Sequence, residues 1–403
     1  MKVLSNLLAL FGATLITTTA PAQPTAAAPG VTPTEIKIGA HLALSGVASF
    51  VGQGGKVGLD LAIAEINANG GVNGRKLAYT FVDDRASPDG GVAAVRKLVE
   101  SENVFLVHGL GTSSSTVPVL QYFKQNPTIP YYISNASDPV VTAEFHKNIY
   151  TGATLSQRTL AKFIVDFLVG QLKSKNVAML QCDQAHCISG APNLKAMLEK
   201  EGVTVNLIGF NSGDTDFTGQ MFKAKSLNPD VVFLYALPSD SGRILPQIKR
   251  AGITAHIVSE ISSADPSVAR VAGKAGEGFY SFWIGGSQFV DDKTGAVAKW
   301  ISALDSYKIE RPANTPNLNS MMAYADVYVL AEAMRAAGKD LTRDAVLKSL
   351  DSNFKGFVAG KGPNWTFASP IGLPRTFSAT DHEGNKSAQV VVYRDGMFRP
   401  ATP

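Results

Sequence analysis

Between Ile36 and Leu234 the hydrophobic period of the chain switches repeatedly between two residues and three to four, and few folds accommodate that alternation. Ile36, Ile38, Ala40 and Leu42 alternate as a strand does, and Leu59, Ala62, Ile63 and Ile66 then recur at helical spacing. Turn chemistry from Gly70 to Gly74 ends that helix, and Leu77, Tyr79 and Phe81 form the next strand, up to Asp83-Asp84. Ser87 and Pro88 read as N-cap and first position of a helix with Val92, Val95 and Val99 on one face. The unbroken run Val104-Phe105-Leu106-Val107 predicts a strand buried on both sides. The rhythm resumes with a helix stripe from Leu160 to Leu168 and strands at 177–180, 203–208 and 231–234. Helices near Leu194 and through Phe217, Met221 and Ala224 separate those strands. Strands spaced by such helices imply right-handed crossovers and parallel sheets with helices on both faces. The fold class is α/β, with two doubly wound units. After Asp351 the pattern lapses until Val390 to Tyr393, which meets Met397-Phe398 across Arg394-Asp395-Gly396 as a hairpin.

A chain of 403 residues is too long for one ordinary core. Its first residues read as a cleavable leader: Lys2, an apolar run from Leu7 to Ile16, then Ala20-Pro21-Ala22. We take 1–22 as signal peptide and 23–33 as linker, which places the mature chain in the periplasm. The apolar run is shorter than the roughly 18 residues a membrane span needs. The formal charge is +4 and Lys/Arg never cluster, which disfavours nucleic acid as a partner. Two cysteines, Cys182 and Cys187, exclude a disulfide framework. They offer one short bridge, the alternative being a pair of buried thiols.

The sequence is richest in chemistry at Gly109-Leu110-Gly111-Thr112-Ser113-Ser114-Ser115-Thr116, directly after a buried strand and before a helix. Hydroxyls there meet the unpaired amides of a helix start, which attract an anion; the plainer reading is a Ser/Thr cap. A second hydroxyl-rich loop, Ile133-Ser134-Asn135-Ala136-Ser137-Asp138-Pro139, also follows a strand, and both should face one crevice at the sheet's carboxyl edge. Enzymatic motifs fail nearby. Gly109-x-Gly111-x-x-Ser114 lacks the last small residue of a dinucleotide fingerprint, and Gly52 to Val57 lacks the hydroxyl of a phosphate loop. Gly111-x-Ser113-x-Ser115 approximates a nucleophile elbow without a matched histidine and acid. The six histidines stand singly, so neither metal nor cofactor is expected.

Further stretches complete a pattern: Glu65-Ile66-Asn67-Ala68-Asn69-Gly70-Gly71-Val72-Asn73-Gly74-Arg75, Asp83-Asp84, Gly213-Asp214-Thr215-Asp216-Phe217, Asn228-Pro229-Asp230 and Ala323-Tyr324-Ala325-Asp326. Together they resemble the Leu/Ile/Val-binding type of periplasmic solute-binding protein that serves ABC transporters. The resemblance implies two lobes joined by a hinge crossed three times, near Thr151, Trp283 and Gly356. The lobes would comprise 34–152 plus 284–356 and 153–283 plus 357–403. A monomer would close over its ligand and present it to an ABC permease in the inner membrane.

Carried over position by position, the resemblance gives Thr112 and Ser113 the ligand carboxylate, and Ala136 and Ser137 the amino group. It also marks departures. His186-Cys187 replaces an aromatic followed by glycine, Phe50-Val51 replaces tyrosine, and Asp240 is the acid aligned, loosely, with the amino-group partner. The expected ligand is a hydrophobic or branched-chain amino acid. The alternatives are an aromatic or 2-oxo carboxylate without an amino group and, more distantly, a secreted serine hydrolase using Ser113.

Overall fold

The computed structural model describes residues 28–46, 48–285, 295–312, 315–352, 355–357 and 375–401; the leader 1–22 and linker residues 23–27 lie outside the described residues. The first sheet comprises β1 (Glu35–Leu42), β2 (Lys76–Asp83), β3 (Val107–Leu110), β4 (Tyr131–Ile133) and β5 (Ile149–Thr151), all parallel in the order β2-β1-β3-β4-β5. Ile36, Ile38, Ala40 and Leu42 are wholly buried, as their alternation and central place require. The strand expected at 104–107 begins only at Val107: residues 104–106 are buried but irregular, and pairing runs on through His108-Gly109-Leu110. Phe105 N donates to Lys37 O (2.7 Å) and Leu106 O accepts from Gly39 N (3.0 Å), so the hydrophobic run marks the approach to the ladder and not its start.

Helices α1 (Ser49–Ala68), α2 (Pro88–Arg96), α3 (Ser113–Thr116) and α4 (Leu120–Gln125) connect these strands. The Ser87 hydroxyl accepts from Gly90 N and caps α2. β1 lies between β2 and β3, so the chain leaves it first to one side and then to the other. The carboxyl ends of β1 and β3 therefore diverge into a crevice.

The second sheet repeats the plan. Strands β6 (Asn176–Gln181), β7 (Thr204–Gly209), β8 (Val231–Tyr235), β9 (His256–Ser259) and β10 (Tyr280–Trp283) are parallel in the order β10-β9-β8-β6-β7. They alternate with α5 (Gln157–Val165), α6 (Ala185–Lys200), α7 (Thr218–Ser226), α8 (Pro238–Arg250) and α9 (Pro266–Ala272). Here β6 lies between β7 and β8, giving a second switch point after β6 and β8.

After β10 the chain returns to the first lobe. Helices α10 (Ala296–Ser306), α11 (Leu318–Ala336) and α12 (Arg343–Asp351) share a core with β1, through residues such as Trp300, Leu304, Val327 and Leu350. Gly58 makes this possible, because a Cβ there would meet Ser320 O of α11 at 1.8 Å. The short pair β11 (Lys355–Phe357) and β12 (Arg375–Thr376) precedes β13 (Gln389–Arg394) and β14 (Met397–Pro400). These last two form the expected hairpin, and β13 pairs antiparallel with β10, so the tail extends the second sheet.

Asp326 of α11 holds the crossings together. Its carboxylate accepts from Ala153 N (3.0 Å), Ser134 Oγ (2.6 Å) and Tyr132 Oη (3.2 Å) and pairs with the buried Arg375 (3.2 Å). Segments of the first and last passages between the sheets, at Ala153 and Arg375, thus meet on one carboxylate.

Candidate functional site

Both switch points open on one cleft of about 610 Å³, counting its mouth. From the first lobe come Phe50 and Val51 after β1, Thr112 and Ser113 after β3, and Asn135 and Ser137 after β4. The second lobe contributes His186 after β6, Leu237 after β8, and Ile261, Ser262 and Asp265 after β9. Thr154 of the first crossing and Leu318, Asn319 and Met322 of α11 complete the wall. Apolar and hydroxyl or amide groups alternate around it, and no lysine or arginine is part of the described lining. A carboxylate in this cleft would be held by neutral donors.

The first-lobe loops support each other. Ser113 Oγ accepts from the amides of Ser137 and Asp138, both at 3.2 Å, which leaves its own O–H free to donate. Thr112 O accepts from Ser115 N and Thr116 N, so the earlier amides of Ser113 and Ser114 have no intrahelical acceptor. Thr112 Oγ1 is buried without a hydrogen-bond partner among the described residues. Thr112 and Ser113 thus bring unpaired polar groups to the first-lobe side of the cleft.

The second-lobe wall is stapled. Cys182, at the end of β6, is bonded to Cys187 in the first turn of α6, with Cα atoms 5.6 Å apart, and His186 lies inside that loop. Cys182, His186 and Cys187 have the composition of a metal site, but the bridge occupies both sulfurs. Burial pushes the His186 pKa down to about 4, although Asp138 opposes this, so the ring is neutral at pH 7. Asp138 reaches across the rim to accept from Ser189 Oγ of α6 at 2.7 Å.

Gln157 joins the halves more deeply. Its backbone N–H donates to Ser137 O (2.7 Å), its side-chain amide donates to Ser137 Oγ (3.2 Å), and its oxygen accepts from Tyr235 Oη. Beside it lies Glu260, wholly buried, whose Oε2 accepts from Ser262 N at 2.9 Å. Burial pushes its pKa up to about 7 against hydrogen bonds from Ser262, Gln157 and the Ile261 backbone. Asp265, 2% exposed, caps α9 through Ser267 N and also has its pKa raised by burial.

Of the residues singled out in the sequence, Phe50, Thr112, Ser113, Ser137 and His186 line the cleft. The Ala136 side chain packs into the first-lobe core, and the group the resemblance implicates there is its backbone carbonyl. Asp240 is elsewhere: in the first turn of α8 it accepts from Gly213 N (3.0 Å) and pairs with Arg243 (2.5 Å), three residues on. Ser113 Oγ has no hydrogen bond to a histidine among the described residues, so no nucleophile and base are assembled there. Sequence reasoning missed Asp265, Ile261 and Ser262, and the α11 residues Leu318, Asn319 and Met322. The run Ser262-Ser263-Ala264-Asp265-Pro266 after a buried strand repeats the signal of the earlier loops and could have pointed to the first group.

The cleft lies between two doubly wound lobes and is lined from both sides. Residues 35–396 match the periplasmic binding protein family model, and the chain belongs to that family. Among curated relatives, the Leu/Ile/Val-binding protein homolog 3 of Brucella melitensis is 27% identical, over 78% of this chain and 83% of its own. The leucine-, isoleucine-, valine-, threonine- and alanine-binding protein of Pseudomonas aeruginosa is also 27% identical, over 75% and 79%. Two solved structures share the type I fold. One is a branched-chain amino acid ABC transporter protein from Thermus thermophilus with bound valine (TM-score 0.78, 16% identity, 92% and 96% covered). The other is a Streptococcus pneumoniae substrate-binding protein in complex with isoleucine (TM-score 0.74, 22% identity, 92% and 100% covered).

Proposed function

We propose that this protein is the exported, non-enzymatic receptor of an ABC importer, closing its lobes over a hydrophobic amino acid and passing it to a permease. The observation that carries this reading is the convergence of Thr112, Ser113 and Ser137 from one lobe with Ile261, Ser262 and Asp265 from the other on one cleft. The first group supplies O–H and N–H donors for a carboxylate. Asp265 supplies an acid for an ammonium group in place of Asp240, which is engaged with Arg243. Phe50, Val51, Leu237, Leu318 and Met322 supply apolar surface for a side chain. Relatives named for leucine, isoleucine and valine support the same ligand class.

Three or four charge-assisted contacts of about 1.5–3 kcal/mol each, less the cost of association, suffice for micromolar affinity, about −8 kcal/mol. Calorimetry with L-leucine and its deaminated keto analogue tests the assignment. Tight binding of leucine alone supports an amino-acid receptor. Equal affinity for both removes the ammonium contact and leaves a carboxylate receptor, and heat from neither refutes the proposal.

A further inference from the structure

The consecutive carboxylates Asp83 and Asp84, at the end of β2, take no part in the cleft lining, yet each grips a different loop that does. Asp83 Oδ1 accepts from Leu44 N (2.9 Å) and Ser45 N (3.3 Å), and its Oδ2 accepts from Ser45 Oγ (2.6 Å). Those residues follow β1 and lead to Phe50 and Val51. Asp84 Oδ2 accepts from Ser115 Oγ (2.9 Å) and faces His41 Nδ1 (2.9 Å), whose Nε2 meets Tyr131 Oη at 2.7 Å. Ser115 belongs to the turn that presents Thr112 and Ser113. The fit beneath that turn is close: a Cβ on Gly111 would lie 2.3 Å from both Asp84 Oδ2 and Ser115 Oγ.

The backbone here is also strained. Arg85 and Ala86 both have left-handed φ, 55° and 53°, a conformation that non-glycine residues adopt at a cost and keep only where surrounding contacts hold them. Those contacts are the same carboxylates: Arg85 N donates to Asp83 Oδ1 and Ala86 N to Asp84 Oδ1, each at 2.9 Å. The turn thereby directs two adjacent acids to different loops, Asp83 to the one after β1 and Asp84 to the one after β3.

We infer that Asp83 and Asp84 are positioning residues that brace the two first-lobe walls of the cleft independently, Asp83 the Phe50 side and Asp84, through Ser115, the Ser113 side. The inference rests on the cleft reading above. Amide exchange in the ligand-free protein, followed by titration with L-leucine, tests it. Asp83→Asn should speed exchange at Leu44 and Ser45 by about tenfold and spare Ser115 and Thr116, the paired amides of the other turn. Ser115→Ala, which leaves the buried His41–Asp84 pair intact, and Asp84→Asn should do the reverse. Each variant should weaken leucine about fivefold. Unchanged exchange at both loops, equal loss of protection across β1, β2 and β3, or loosened loops with unaltered affinity would overturn it. Should the wild type not bind leucine, the ligand assignment fails, and the loop-by-loop exchange pattern alone decides the brace.

Discussion

Glu260→Gln isolates the effect of one buried acid on stability. Glu260 is wholly buried beside the cleft, and its pKa is pushed from an ordinary 4.5 to about 7. A carboxyl whose folded pKa lies above its unfolded one holds its proton more tightly when folded. Its contribution is therefore fully present below about pH 4.5 and is lost as pH rises through about 7. The full loss is about 3 kcal/mol, most of which falls between pH 5 and 8. Glutamine keeps the shape and cannot ionise. Urea unfolding of both proteins at several pH values, followed by circular dichroism, should show the wild type losing about 2–3 kcal/mol relative to Glu260→Gln from pH 5 to 8. All other titrating groups are common to the two proteins and cancel. A stability difference that does not change with pH would refute the argument, because Glu260 would then titrate alike in both states.

Ser113→Ala should weaken carboxylate binding by about tenfold, 1.4 kcal/mol, in calorimetry; unchanged affinity would place the ligand elsewhere. Asp326→Asn takes the carboxylate from buried Arg375 and should cost about 3–5 kcal/mol in denaturant titration, whereas a loss below about 1 kcal/mol would show that the crossings do not depend on it. Gly58→Ala drives a methyl into Ser320 O and should destabilise by about 1–3 kcal/mol, seen as a lower unfolding midpoint with ligand absent; a neutral result would mean that α1 and α11 can move apart freely.

The alternation of periods made the α/β class legible, because parallel strands buried on both faces and helices buried on one leave different marks. Caps such as Ser87 and the Asp395-Gly396 turn were legible for the same local reason. The first-lobe side of the cleft was also readable, since hydroxyl-rich loops after buried strands declare themselves within a few residues. What local pattern cannot show is which distant loops meet. Leu318 and Met322 enter the cleft from a helix that returns to the first lobe more than a hundred residues after its last strand, β5. Asp240 was misplaced because its partner, Arg243, takes up the acid one helical turn on, while Asp265 reaches the cleft from the following strand end. Residues 104–106 read as strand because they are buried beside β1 and partly bonded to it, and hydrophobicity does not mark that the regular ladder starts only at Val107.

A crystal structure of the protein soaked or grown with L-leucine tests the central claim most directly. The account predicts the ligand between the lobes, with a carboxylate oxygen within about 3 Å of Ser113 and Thr112 donors and its side chain against Phe50 and Met322. Leucine bound in any other cavity, such as the one lined by Val141, His146 and His382, with the cleft unoccupied, would contradict it.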